Sequence, residues 1–148
     1  MRFLPSEQDL DALAQEIEKI TFHRDGAGID MAHPLDTGFP AWLTKAPLIR
    51  AAIAEIEGLV GGRASHIMLN RLRAGDVVNP HVDAMDLGER WHLPIRTNPQ
   101  SIWWDETDEV DRYMQPGFWW GPVPYKRLHA VWNHGDSDRI HLVVDVQR

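Results

Sequence analysis

The sequence predicts a mainly β protein, a small sandwich or barrel with two helices packed at its N-terminal side. Two observations carry this. Apolar residues recur every three or four positions only before residue 60, whereas from Ala64 onward the apolar period is two. The second half also falls into short alternating segments separated by turn residues, which is the spacing of an all-β domain. With 148 residues and no internal repeat or long linker, the chain reads as one domain, helical over 1–60 and a β-barrel over 64–146.

Ser6 is placed to cap a first helix whose apolar positions Leu10, Leu13, Ile17 and Ile20 form one stripe. Gly and Pro crowd the stretch GAGIDMAHPLDTGFP, which reads as a loop. A second helix is expected from Pro47 to Glu57, with Ile49, Ile53 and Ile56 on one stripe, Pro in its first turn and Gly58 closing it. The segments HIMLNRLR, DVVNPHVD, RWHLPIRT, SIWWD, GFWWG, LHAVWN and RIHLVVDV then read as strands.

Composition narrows the function. Hydrophobic residues at 43% and charged residues at 25% describe an ordinary folded chain rather than a disordered one. A net charge of −7 argues against a nucleic-acid partner, which needs a basic face. The absence of cysteine excludes disulfides, thiolate metal sites and cysteine nucleophiles. No apolar run approaches a membrane span, and MRFLPSEQDLD lacks the basic and apolar regions of a signal peptide. A cytoplasmic protein with no membrane partner is therefore expected. Six of the eight histidines lie after residue 65, as do Trp91, Trp103, Trp104, Trp119 and Trp120, so the second half is the place to look for chemistry.

His81 and Asp83 stand two residues apart, so on a strand both side chains leave the same face. His129 is the best candidate for a third metal ligand. Two imidazoles and a carboxylate on one side of an ion leave positions open for a bidentate co-substrate and dioxygen, which suits Fe(II). Taken alone, the His-x-Asp pair describes a surface histidine and a solvated aspartate equally well. Arg139 follows His129 by ten residues across a turn at His134 to Ser137, and a hairpin there would set it beside His129 on a neighbouring strand. Alternation groups Arg139, His141, Val143 and Asp145 on one face of that strand, and Ile140, Leu142, Val144 and Val146 on the other. An inward arginine would need an anion, and its fork matches a carboxylate. Outward, it would be an ordinary surface charge. Arg90 and His92 likewise share a face, opposite Trp91, Leu93 and Ile95.

The pieces RLRAGDVVNPHVD, RWHLPIRTNP and LHAVWNHGDSDRIHLVVD, in that order over Ile67 to Asp145, resemble the aspartyl/asparaginyl β-hydroxylase-like branch of the Fe(II)/2-oxoglutarate oxygenases. The middle piece is also similar to the bacterial proline cis-hydroxylases of that branch. The resemblance implies a double-stranded β-helix, the jelly-roll or cupin-like barrel. It implies His81, Asp83 and His129 as iron ligands, although animal aspartyl hydroxylases lack the carboxylate. Arg139 falls on the arginine that grips the distal carboxylate of 2-oxoglutarate. Asn70 falls near a small hydroxyl residue beside that carboxylate, a departure that an amide donor can accommodate. Arg90 and His92 fall on an Arg-x-His pair that touches the near carboxylate or the substrate.

The activity implied is hydroxylation of an unactivated C–H bond with Fe(II), 2-oxoglutarate and dioxygen. The substrate would be a small molecule or peptide, with an amino acid or another carboxylate-bearing molecule favoured and Arg90 available to hold it. Two rivals remain on the residues alone. One is a non-catalytic cupin-like metal-binding module; the other is a zinc hydrolase using the same three ligands. One of Trp119 or Trp120 is expected at the pocket mouth, and His134 in solvent. His141 has no assignable partner, and His23, His33 and His66 show no pattern.

Overall fold

A computed structural model describes residues 1–24, 30–32 and 41–148 of the chain. Its elements are β1 (Arg2–Pro5), α1 (Leu10–Ile17), β2 (His23–Arg24), β3 (Asp30–Ala32), a 3-10 turn (Ala41–Lys45), α2 (Pro47–Val60), β4 (Arg63–Leu72), β5 (Val77–His81), β6 (Glu89–Arg96), β7 (Ser101–Asp105), β8 (Phe118–Val123), β9 (His129–Asn133) and β10 (Arg139–Gln147). All seven strands expected after residue 64 are present. They form two antiparallel sheets, a larger one in the order β1-β8-β6-β10-β4-β3-β2 and a smaller one in the order β5-β9-β7.

The central strands β6 and β10 of the larger sheet are buried on both faces. Leu142, Val144 and Val146 of β10 and Trp91, Leu93 and Ile95 of β6 join the helices in one core. The opposite face joins the smaller sheet in a second cluster, which includes Leu72, Val78, Trp103, Trp120 and Val131. This explains why β6 and β10 carry almost no exposed residue even where they are polar. Period-two alternation here separates two interiors, not an interior from solvent.

α2 docks through Ile49, Ala52, Ile53 and Ile56, all at most 3% exposed. Each isoleucine contributes roughly 1.5–3 kcal/mol by leaving water. The helix runs a turn beyond the expected end at Gly58. It stops at Gly61, whose φ of 79° is the left-handed C-cap conformation that glycine adopts without a Cβ clash. Ala46 offers α2 no side-chain cap; the Glu16 carboxylate of α1 accepts from the Leu48 and Ile49 amides at 3.0 and 2.8 Å. α1 is capped by Asp9, whose Oδ1 accepts from the Ala12 amide, rather than by Ser6, whose hydroxyl donates to Glu55 at 2.6 Å.

The N-terminal part is not helical throughout. β1 pairs with β8, and β3 pairs with β4 inside the stretch read as a loop; the rest of that stretch, with the His33 side chain, lies outside the described residues. Among the described residues no helix is long and apolar enough to cross a membrane.

Candidate metal and anion site

β5 and β9 pair so that His81 lies directly across from His129, with a register shift between Val78 and His81. Asp83 follows two residues later, past the end of β5. The three side chains converge, with donor atoms all within 4.8 Å of one another. Asp83 Oδ1 is 3.4 Å from His81 Nε2, and Oδ2 is 3.8 Å from His129 Nε2. Each imidazole is set by a backbone carbonyl two residues before it: Nδ1 of His81 lies 2.8 Å from Asn79 O, and Nδ1 of His129 lies 2.7 Å from Arg127 O. A proton on each Nδ1 leaves both Nε2 lone pairs facing the carboxylate. Burial lowers the His129 pKa and the nearby His81 acts in the same sense, which favours the neutral, ligating form. Two imidazoles on adjacent strands and one carboxylate just past the end of β5, with room beside them, fit Fe(II) by donor chemistry.

These residues open into a cavity of about 740 Å³ between the sheets, within the range of small-molecule sites. Arg139, Asn70 and His92 line it as well. Arg139 is only 5% exposed and makes no hydrogen bond or ion pair among the described residues. Burial alone lowers its pKa to about 9. A buried guanidinium held charged at neutral pH, with no carboxylate in contact with it among the described residues, has the chemistry to receive an anion. Beside it, His92 and His141 meet through their Nδ1 atoms at 3.1 Å. Burial first, then the charge of Arg139, pushes both imidazoles well below their usual pKa, so they are neutral. Oδ1 of Asn70 and Nε2 of His141 are buried without a partner among the described residues.

The Arg139 face of β10 is therefore inward, as the alternation allows, but the route there differs from the expected hairpin. β9 belongs to the smaller sheet and β10 to the larger, so the turn at 134–137 crosses between sheets and sets His129 and Arg139 on opposite walls. Asn133, fully buried, holds this corner: its Nδ2 donates to Leu72 O at 3.0 Å and Ser137 O at 2.8 Å. His134 is exposed, as expected.

Arg90 also lines the cavity, but its guanidinium is engaged. Nε and Nη2 donate to the two oxygens of Asp145 at 2.8 and 3.0 Å, and Nη1 donates to Asp83 Oδ2 at 2.7 Å. Burial opposes its charge, yet the hydrogen bonds and charges of Asp145 and Asp83 outweigh it and raise the pKa. The Arg90 expected to hold a substrate carboxylate thus reaches the cavity already paired with two carboxylates of the chain itself.

The tryptophans correct another expectation. Trp119 belongs to the helix-side core and donates to Glu55, and Trp120 donates to Gln115 O; neither lines the cavity. Trp103 does. Its ring stacks on His129, with centroids 4.9 Å apart and planes at 14°, and its Nε1 donates to the buried Asp105 at 2.8 Å. The residue spacing Trp-x-Asp in SIWWD is the signal for this pair, since it puts both groups on one face of β7. Asp145 and His66, 3.3 Å apart, are further partners of this site that the sequence does not single out.

The sequence profile of the aspartyl/asparaginyl β-hydroxylase family matches residues 36–148. No curated protein matches the sequence closely enough to count as a relative. Among solved structures, the viral collagen prolyl hydroxylase of Paramecium bursaria Chlorella virus-1, in a 2OG complex, is similar with a TM-score of 0.65 at 10% identity, over 98% of this chain and 94% of that one. A prolyl-4-hydroxylase of Pseudomonas putida is similar with a TM-score of 0.58 at 17% identity, over 99% and 91%. Identities this low establish the shared fold, the double-stranded β-helix, and no more. The profile covers well over half of the chain, and on that ground the protein belongs to the aspartyl/asparaginyl β-hydroxylase family and is a 2-oxoglutarate-dependent hydroxylase.

Proposed function

We propose that this chain is a single-domain Fe(II)/2-oxoglutarate dioxygenase that hydroxylates an unactivated C–H bond of an amino acid or of an amino-acid residue. His81, Asp83 and His129 are the iron ligands on this reading. Arg139 grips the distal carboxylate of 2-oxoglutarate from the opposite wall, with Asn70 beside it, and His92 borders the near end. Iron, 2-oxoglutarate and dioxygen together supply the oxidising power, with succinate and carbon dioxide as by-products. The protein's own residues bind, orient and exclude water; no side-chain acid or base is needed. The observation that carries the reading is Arg139, a buried cation without a counter-ion in the same cavity as a three-donor metal cluster. A zinc hydrolase would leave that cation unexplained, and so would a non-catalytic metal module.

With three of its five N–H groups engaged, Arg90 gives weaker support to a substrate held by its carboxylate, and the cavity wall of Val78, Pro80, Val82 and Met85 supports an apolar contact surface beside it. The test is succinate formation that requires both Fe(II) and 2-oxoglutarate, run against amino acids and peptides with mass spectrometry for the gain of one oxygen. Succinate that forms without either component, or no succinate with any candidate, would refute the assignment.

A further inference from the structure

We infer that Asp145, acting through Arg90, is a positioning residue that holds the Asp83 carboxylate in the orientation a metal ion needs. The inference rests on the reading of Asp83 as a ligand and goes beyond it. Asp83 lies past the end of β5 in a segment without regular structure, flanked by exposed Val82 and Met85. Its backbone is tethered by one hydrogen bond, Asp83 N to Tyr125 O at 3.0 Å, and its side chain is about a third exposed. A carboxylate so placed would sample several rotamers. Arg90 and Asp145 belong to β6 and β10, central strands of the larger sheet, where they are direct cross-strand partners. Asp145 is fully buried and takes two of the guanidinium's hydrogen bonds, and the Tyr125 ring lies 4.0 Å beneath the guanidinium. His66 Nδ1 lies 3.3 Å from the far oxygen of Asp145. With two donors pinned from the sheet, the direction of the third is set, and it points at Asp83 Oδ2, 2.7 Å away. The rigidity of the sheet is thereby passed to a loop carboxylate.

The charges support the same conclusion. Arg90 paired with Asp83 alone would neutralise the ligand and weaken it as a donor. The second carboxylate makes the trio net negative, so Asp83 keeps a charge to offer a cation while its geometry stays fixed.

The test is an anaerobic titration of the folded protein with Co(II), an absorbing stand-in for Fe(II), followed by its visible bands and alongside thermal unfolding. The key variant is Arg90→Met with Asp145→Asn, which removes both charges of the buried pair so that neither is left unpaired, and keeps His66 within reach of the new amide. We expect a melting temperature close to wild type, a Co(II) affinity weaker by tenfold to a hundredfold, and an altered Co(II) spectrum matching that of Asp83→Ala. Adding Asp83→Ala to the double variant should produce no further loss. Should the double variant not fold, Arg90→Lys answers the same question, because one ammonium can keep Asp145 but cannot span to Asp83. Wild-type affinity and spectrum in whichever variant folds, with Asp83→Ala weakened, would leave Asp83 a ligand and overturn the positioning role. Wild-type affinity in Asp83→Ala would instead sink the ligand assignment, and this inference with it.

Discussion

Replacing Arg139 by methionine separates the co-substrate from the metal. Burial holds the Arg139 pKa at about 9, well below that of an ordinary guanidinium, so the cavity disfavours its charge by roughly 5 kcal/mol. An anion docked against the guanidinium recovers a large part of that, and a buried partner left alone typically loses about 3 kcal/mol. Arg139→Met should therefore weaken 2-oxoglutarate binding by on the order of a hundredfold. Lysine at this position should recover only part, because a point charge cannot reproduce the fork. Co(II) or Fe(II) affinity should stay near wild type, since Arg139 stands on the wall opposite His129. The apoprotein should become more stable, because the unpaired buried charge is gone. The pH dependence has a defined sign. The folded pKa lies below the unfolded one, so the penalty is fully present below pH 9 and is relieved as pH rises through about 9 toward the unfolded value, and the intact apoprotein gains stability there. Over the same rise the cation disappears and 2-oxoglutarate binding weakens. Anaerobic titration of 2-oxoglutarate into the Fe(II)-loaded protein, read by its charge-transfer absorption, gives the affinity, and calorimetric unfolding gives the stability. An unchanged 2-oxoglutarate midpoint in Arg139→Met would show that the guanidinium does not meet the co-substrate.

Three further outcomes are expected. His81→Ala and His129→Ala should each abolish stoichiometric Fe(II) binding after anaerobic reconstitution while retaining the far-ultraviolet circular dichroism of the native chain; an undiminished iron load in both would remove the metal assignment. Trp103, stacked on His129, should lose fluorescence when Co(II) binds, so Trp103→Phe should remove a large share of the total quenching, and an unaltered amplitude would place the affected indole elsewhere. Asn133→Ala deletes the hydrogen bonds donated to Leu72 O and Ser137 O and those accepted from Asn98 Nδ2 and the Gly135 amide; Ser137 O keeps Asn98 Nδ2, but Leu72 O loses its side-chain donor, a loss of about 3 kcal/mol by denaturant unfolding, with a smaller loss in 2-oxoglutarate affinity as the β9–β10 corner relaxes. A stability loss below the measurement error would mean that the corner is held by other contacts.

Local periodicity alone makes several features of this chain legible. Alternation locates all seven strands after residue 64 and groups Arg139 with His141 and Asp145, and Arg90 with His92, on shared faces. The apolar stripes locate both helices, and the His81-x-Asp83 pair with His129 names the cluster that the fold assembles. The limits of local pattern are equally specific. Alternation assigns a side chain to a face but not to a sheet, so the turn at 134–137 reads as a hairpin although it is a crossing between sheets. Propensity proposes Ser6 as the cap of α1, although Asp9, just before the helix, caps it just as locally; the first amides of α2, by contrast, donate to Glu16, which only the packing of α1 on α2 brings there. Burial of the central strands of the larger sheet on both faces makes two rows of tryptophan equally plausible in the pocket, and only the approach of the smaller sheet selects Trp103 over Trp119 and Trp120. The pairing of Arg90 joins residues 55 positions apart on neighbouring strands. The sequence by itself determined which residues share a face; which charges meet across the fold, and so which arginine is left free for an anion, was decided by long-range strand pairing that no local period encodes.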